Sequence, residues 1–154
     1  TYNGLSFRHR PDAEWERLDW DMGQQAKNIT PEGLPFLEIK SKKGNVVAQT
    51  TLGRYWLGKN NTKALLWLRM AAKAEFPIAQ TELGEMYFEG KIINRDLAQS
   101  RQLLESAAKA NYARAKLDLL HVNTTGNGSV SVENFKDAFN SMLKSTTPLN
   151  THKK

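Results

Sequence analysis

The stretch Ala71-Ala72-Lys73-Ala74-Glu75-Phe76-Pro77-Ile78-Ala79 returns 36 positions later as Ala107-Ala108-Lys109-Ala110-Asn111-Tyr112-Ala113-Arg114-Ala115. A period of this length signals stacked supersecondary units, because one such unit cannot bury its apolar face alone. The match extends outward in register: Leu68 pairs with Leu104, Phe76 with Tyr112 and Leu83 with Leu119. Upstream, Ala48, Leu52 and Gly53 match Ala79, Leu83 and Gly84 at a spacing of 31, so the first unit is five residues shorter. The difference falls in a connection, Gly58-Lys59-Asn60-Asn61-Thr62 against Gly90-Lys91-Ile92-Ile93-Asn94-Arg95-Asp96, where length change is tolerated. Leu37 and Gly44 take the positions of Leu68 and Glu75 and imply a half unit before both.

Each unit reads as two antiparallel helices. Ile78, Ala79, Leu83, Met86 and Tyr87 recur at helical spacing, as do Leu97, Ala98, Arg101, Leu104, Ala107 and Ala108 after an N-cap at Asp96. Gly53 and Gly84 weaken their helices by about 1 kcal/mol each and need a packing reason, which tight helix crossing supplies. A further helix over 12–29, capped at Asp12, puts Trp15, Leu18, Met22, Ala26 and Ile29 on one face. At the far end Asn123-Thr124-Thr125-Gly126-Asn127-Gly128 reads as a turn, followed by a capping helix over 131–145 that carries Val132, Phe135, Ala138, Phe139, Met142 and Leu143. The expectation is one all-α domain over 1–154: a right-handed solenoid of antiparallel helix pairs, repeats over 34–121, closed by that capping helix.

Composition narrows the functional classes. With no cysteine there is no disulfide, thiolate metal site or cysteine nucleophile. Hydrophobic residues make up 40% and charged residues 25%, and no apolar run approaches the roughly 20 residues of a bilayer span. The net charge of +6 admits a nucleic-acid partner, but the basic residues are spread from Arg8 to Lys154. Their densest groups fall at a helix end and at the tail, where the macrodipole or solvation accounts for them. The chain begins at Thr1 without a Met, which carries the expectation of a removed leader and a periplasmic location, with a cytoplasmic one as the alternative.

The pattern Ala79-x-x-x-Leu83-Gly84-x-x-Tyr87-x-x-Gly90, then Leu104-x-x-Ala107-Ala108, resembles the Sel-one-like repeat (SLR) family, relatives of tetratricopeptide repeats. The resemblance covers roughly residues 34 to 121 and departs at Trp56 and in the short first connection. It implies a curved α-α superhelix that binds other proteins, as adaptor or inhibitor, and not an enzyme. The immunity proteins that bacteria make against type VI secretion phospholipase effectors are similar, and that likeness implies a toxin inhibitor. General scaffolding is the alternative, and nucleic-acid binding a weaker one.

In a stack of this kind the first helix of each pair lines the inner curve, and the seats two, six, nine and ten residues after its leading alanine face outward. They hold Thr50, Arg54 and Leu57, then Thr81, Glu85, Phe88 and Glu89, then Leu117 and His121. An aromatic anchor ringed by polar residues is what a protein partner engages, so this row is the expected partner surface. Charge reversal at Arg54 or Glu85 is accordingly expected to leave folding intact. The competing reading makes Leu57 and Phe88 core. Trp20, flanked by Asp19 and Asp21 opposite the apolar face, is a second candidate contact, although large aromatics are usually covered by their own chain. Trp56 and Trp67 are expected in the core.

No catalytic chemistry emerges. His9, His121 and His152 are far apart in unlike contexts, no nucleophile elbow, phosphate loop or paired-histidine zinc motif occurs, and carboxylates such as Asp118 and Glu133 have no evident partner. Asn123 to Phe135 has the glycine and apolar residue of an EF-hand loop, but Asn134 stands where the bidentate Glu belongs. No metal and no cofactor are expected.

Overall fold

The structure, a computed structural model, describes residues 11–126. These form α1 (Asp12–Lys27), α2 (Leu34–Lys42), α3 (Val46–Trp56), α4 (Asn61–Lys73), α5 (Pro77–Glu89), α6 (Leu97–Lys109) and α7 (Ala113–Gly126), with no strand among the described residues. The repeat arithmetic holds. α3 with α4 and α5 with α6 are the two complete pairs, α2 is the trailing half of a unit before them, and α7 the leading half of one after.

Local chemistry starts each helix where the pairs require it. Asn45, Asn60 and Asp96 accept from the backbone N–H groups of Ala48, Lys63 and Gln99, capping α3, α4 and α6. α1 differs from the expected cap: the helix begins at Asp12 itself, with Pro11 in the cap position. Within each repeat the turn from one pair to the next passes through a left-handed residue, Gly44 (φ 89°), Glu75 (φ 60°) and Asn111 (φ 64°). Their spacings of 31 and 36 reproduce the two repeat lengths. The expected turn at Asn123 is instead the last turn of α7, which runs on to Gly126. The capping helix over 131–145 lies outside the described residues.

Successive helices pack side by side, α3 on α4, α4 on α5, α5 on α6 and α6 on α7. Leu52, Leu68, Ala71, Ile78, Ala79, Leu104, Ala107 and Ala115 are buried along the shared seam. Ala72 is buried and Ala108 packs half-buried against the same core. Trp67 lies in a second cluster with Leu37, Ala48 and Leu52, against which Trp56 packs half-buried.

α1 does not extend the row of pairs but lies across its first helices. Trp15 is fully buried, with its ring 6.0 Å from Phe76 and 6.3 Å from Tyr112, and its indole Nε1–H donates to the Ala110 carbonyl at 3.0 Å. Phe76 and Tyr112 are the same position of consecutive repeats. One tryptophan therefore spans the joint between them.

Candidate functional site

The side chains that tie α1 to the repeats form one charged cluster. Asp19 of α1 accepts from Arg54 Nη2 of α3 and from the Tyr112 hydroxyl, and its main-chain carbonyl takes Arg54 Nη1 at 2.7 Å. Arg54 Nε turns the other way, to Glu82 of α5. Arg114 of α7 grips Glu85 with two bonds, Nε to Oε1 at 2.9 Å and Nη2 to Oε2 at 2.6 Å. It also reaches Asp19 Oδ2 at 3.3 Å and Asp118 Oδ2 at 4.0 Å. Four helices are held by one network.

Burial and pairing compete at each group. Burial works against the charged form of Asp19, but the Arg54 guanidinium, the Tyr112 hydroxyl and Arg114 outweigh it and hold Asp19 below the ordinary carboxylate value. Glu82 goes the other way, because its burial outweighs the attraction of Arg54. Burial also raises the Tyr112 hydroxyl, with its bond to Asp19 adding to the effect. Partial burial works against the charge of both arginines, yet Glu82 for Arg54 and Glu85 for Arg114 keep them firmly protonated.

Glu85 is pushed up to about 7 by burial and by the neighbouring Asp118 carboxyl, against the pull of Arg114. Its ordinary value is 4.5, so the folded protein binds this proton more tightly than the unfolded chain. The stability Glu85 contributes is full below about pH 4.5 and is given up as pH rises through about 7. Asp19, held low, contributes above its ordinary 3.8 and loses that as pH falls. Denaturation midpoints are therefore expected to decline from about pH 5 to pH 8, and Glu85→Gln to flatten much of that decline. An unaltered pH profile in the variant would assign the decline elsewhere.

Beside the network lies an open groove of about 720 Å³. One wall is α1 with Glu16, Trp20, Gly23 and Lys27; the other is the end of α3 and its connection, with Tyr55, Leu57 and Lys59. Asp19, Arg54, Glu82, Tyr112 and Arg114 line it from the cluster. Trp20 is 65% exposed. It is not packed into its own chain, contrary to what its size leads one to expect.

The expected partner row is only partly a surface. Thr50 and Thr81 are fully buried, their hydroxyls donating to the carbonyls of Val46 and Pro77. Each lies one turn before Arg54 or Glu85, through which α1 and α7 are tied to that face. Arg54 is buried by ion pairs within the chain, so it is no free contact, and reversing its charge would disturb folding. Glu85 is half-buried and paired in the same way. Leu57 and Phe88 are half-buried against the core, with Phe88 edge-on to His121 at 5.1 Å and capped by Arg95. Glu89, Leu117, His121 and Trp20 are exposed. Asp118, expected to lack a partner, sits beside Arg114 and Glu85.

Sequence reasoning missed Asp19, Glu82, Tyr112 and Arg114 as a group. The available signal was Glu82, a carboxylate between Thr81 and Leu83-Gly84 on a helix otherwise composed for burial, which calls for a buried cation. No group of three or more His, Asp or Glu among the described residues is arranged to hold a metal ion. No described helix is long and apolar enough to cross a membrane.

A row of antiparallel helix pairs bearing a groove defines an α-α repeat scaffold. The chain belongs to the Sel1 repeat family. The Sel1 repeat matches residues 47–76 and 77–112, the same two units that the sequence period marks. A Sel1 repeat protein from Oxalobacter formigenes, known from its crystal structure, shares 31% identity at a TM-score of 0.61, over 74% of this chain and 90% of that one. A protective antigen of uropathogenic Escherichia coli with an SLR fold matches at a TM-score of 0.61 and 14% identity, over 92% of this chain and 43% of that one; this likeness concerns the fold. An uncharacterized protein of Neisseria meningitidis serogroup B is 28% identical over 108 residues, 70% of this chain. The chain spans 23% of that relative's length. Sel1 repeat proteins are protein-interaction scaffolds.

Proposed function

We propose that this chain holds another protein, which seats on the groove between α1 and the end of α3 and takes Trp20 as its anchor. The observation that carries this reading is a tryptophan 65% exposed at the mouth of a groove whose base is fixed by ion pairs. Tryptophan is enriched among residues that dominate binding energy, and a scaffold already ordered by its own network loses little freedom on binding. Glu89, Leu117 and His121, exposed on α5 and α7, are further candidate contacts.

The test compares the tagged chain with its Trp20→Ala form in recovering a partner from the source cells. Trp20→Ala is expected to reduce recovery about tenfold or more while thermal unfolding stays within a degree or two of wild type. Equal recovery of the same partner by both forms would sink the groove.

The specific form of this reading is an inhibitor that neutralises a secreted bacterial toxin, a type VI phospholipase effector, in the periplasm. A rigid, preformed surface suits blocking a partner's site. Co-expression with a phospholipase toxin encoded beside this gene should restore growth, and failure to do so would end the inhibitor reading. The adaptor reading is favoured by a different observation, the small share of the meningococcal relative that this chain spans. Repeats of this kind there form part of a longer protein, and an adaptor would bring two proteins together without altering either.

A further inference from the structure

The cluster beside the groove holds more carboxyl groups than guanidinium groups. Arg54 and Arg114 supply two guanidinium groups, whereas Asp19, Glu82, Glu85 and Asp118 supply four carboxyls. The guanidinium nitrogens are committed. Arg54 gives Nε to Glu82 and Nη1 and Nη2 to Asp19; Arg114 gives Nε and Nη2 to Glu85 and Nη1 to Asp19. What remains is acceptor capacity. Glu82 is 7% exposed and lines the groove, and its Oε2 is buried without a hydrogen-bond donor. A buried acceptor left unmatched is costly, so a donor that reaches Glu82 gains more than one meeting a solvated carboxylate.

The surroundings of Glu82 select the kind of donor. A metal ion has no set of three ligands among the described residues. The groove instead is lined by the exposed ring of Trp20 and the half-buried ring of Tyr55. An organic cation is attracted by the ring faces and by the charge-assisted hydrogen bond together. Lys27 and Lys59 also line the groove, Lys59 with its Nζ 3.7 Å from the centre of the Tyr55 ring. They repel a run of positive charge, so one basic side chain enters, and acidic neighbours on its own chain meet the lysines.

We propose that the groove is a receptor for a single arginine or lysine side chain of the protein partner, its charged head passing Trp20 to reach Glu82 Oε2. This rests on the groove being the partner-binding surface. The test titrates the full chain with N-acetyl-arginine amide and with the uncharged N-acetyl-citrulline amide, following the Trp20 indole N–H resonance, assigned by its loss in Trp20→Phe. A saturable shift is expected with the arginine compound, and binding about tenfold weaker with citrulline. Glu82→Gln should bring the two within about twofold of each other. Should that variant not fold, Trp20→Ala, altered at an exposed side chain, should weaken arginine amide severalfold by calorimetry. Equal affinity for the two compounds, or no saturation by either, overturns the proposal. No saturation while Trp20→Ala still abolishes partner recovery removes the cation site alone; specific arginine binding with partner recovery unaffected by Trp20→Ala removes the protein-binding reading of the groove.

Discussion

Arg54→Ala is expected to lower the unfolding free energy by about 3–5 kcal/mol, a large share of the stability of a domain this size. The side chains of Arg54, Glu82 and Asp19 are 13%, 9% and 20% exposed, so water cannot replace the guanidinium. Its removal leaves Glu82 buried without its hydrogen-bonded cation, and only Arg114 still acts on it with opposite charge. Asp19 suffers less, because Tyr112 and Arg114 remain on it. Glu82 escapes part of the penalty by taking up a proton, towards which burial already biases it, and the lower end of the range is expected at acid pH. Replacing both partners, Arg54→Met with Glu82→Leu, should recover most of the loss, since apolar groups of similar volume leave no uncompensated charge. Urea denaturation measures both. A loss below about 0.5 kcal/mol would mean that these pairs behave as solvated surface bridges.

Gly53→Ala should destabilise by about 1–2 kcal/mol, although alanine is the better helix former by about 1 kcal/mol. A Cβ at Gly53 would stand 2.6 Å from Leu68 Cγ and 2.8 Å from its Cδ2, and Leu68 is fully buried, with no space into which to turn. The contact is a branch point and not the tip of a flexible chain, so the helices must separate. The next repeat offers an internal control: at Gly84 the corresponding approach is 2.9 Å to Leu104 Cγ, a milder overlap and a smaller expected loss. Combining Gly53→Ala with Leu68→Ala should be less harmful than the sum of the two, because the added methyl occupies space the leucine vacates. Strict additivity in thermal melts would show that the two residues do not press on each other.

The alternation of helices was legible because a repeat states its packing twice. Ala71 and Ala107, Phe76 and Tyr112, Gly53 and Gly84 each occupy equivalent places, so an accident at one is contradicted at the other. Even the left-handed turn positions were marked by the pairing of Gly44 with Glu75. The site was less legible. Position six of the row holds Arg54 in one unit and Glu85 in the next, which reads as a solvated surface of mixed sign until α1 is laid over it. Nothing periodic in α1 says where it docks, since it has no counterpart in the repeats. Its placement reverses Arg54 from contact to strut and leaves Trp20 facing outward.

The bond from the Trp15 indole to the Ala110 carbonyl joins positions 95 apart in the chain. On a translating ribosome α1 emerges before the repeats, yet its docking surface is incomplete until Tyr112 and Arg114 have followed. An array whose units touch only their neighbours can zip up from either end, but here α1 must wait for the turn into α7. That long closure slows the final step of assembly and, once made, removes the freedom of the outer units to fray independently, so the array should melt as a single body.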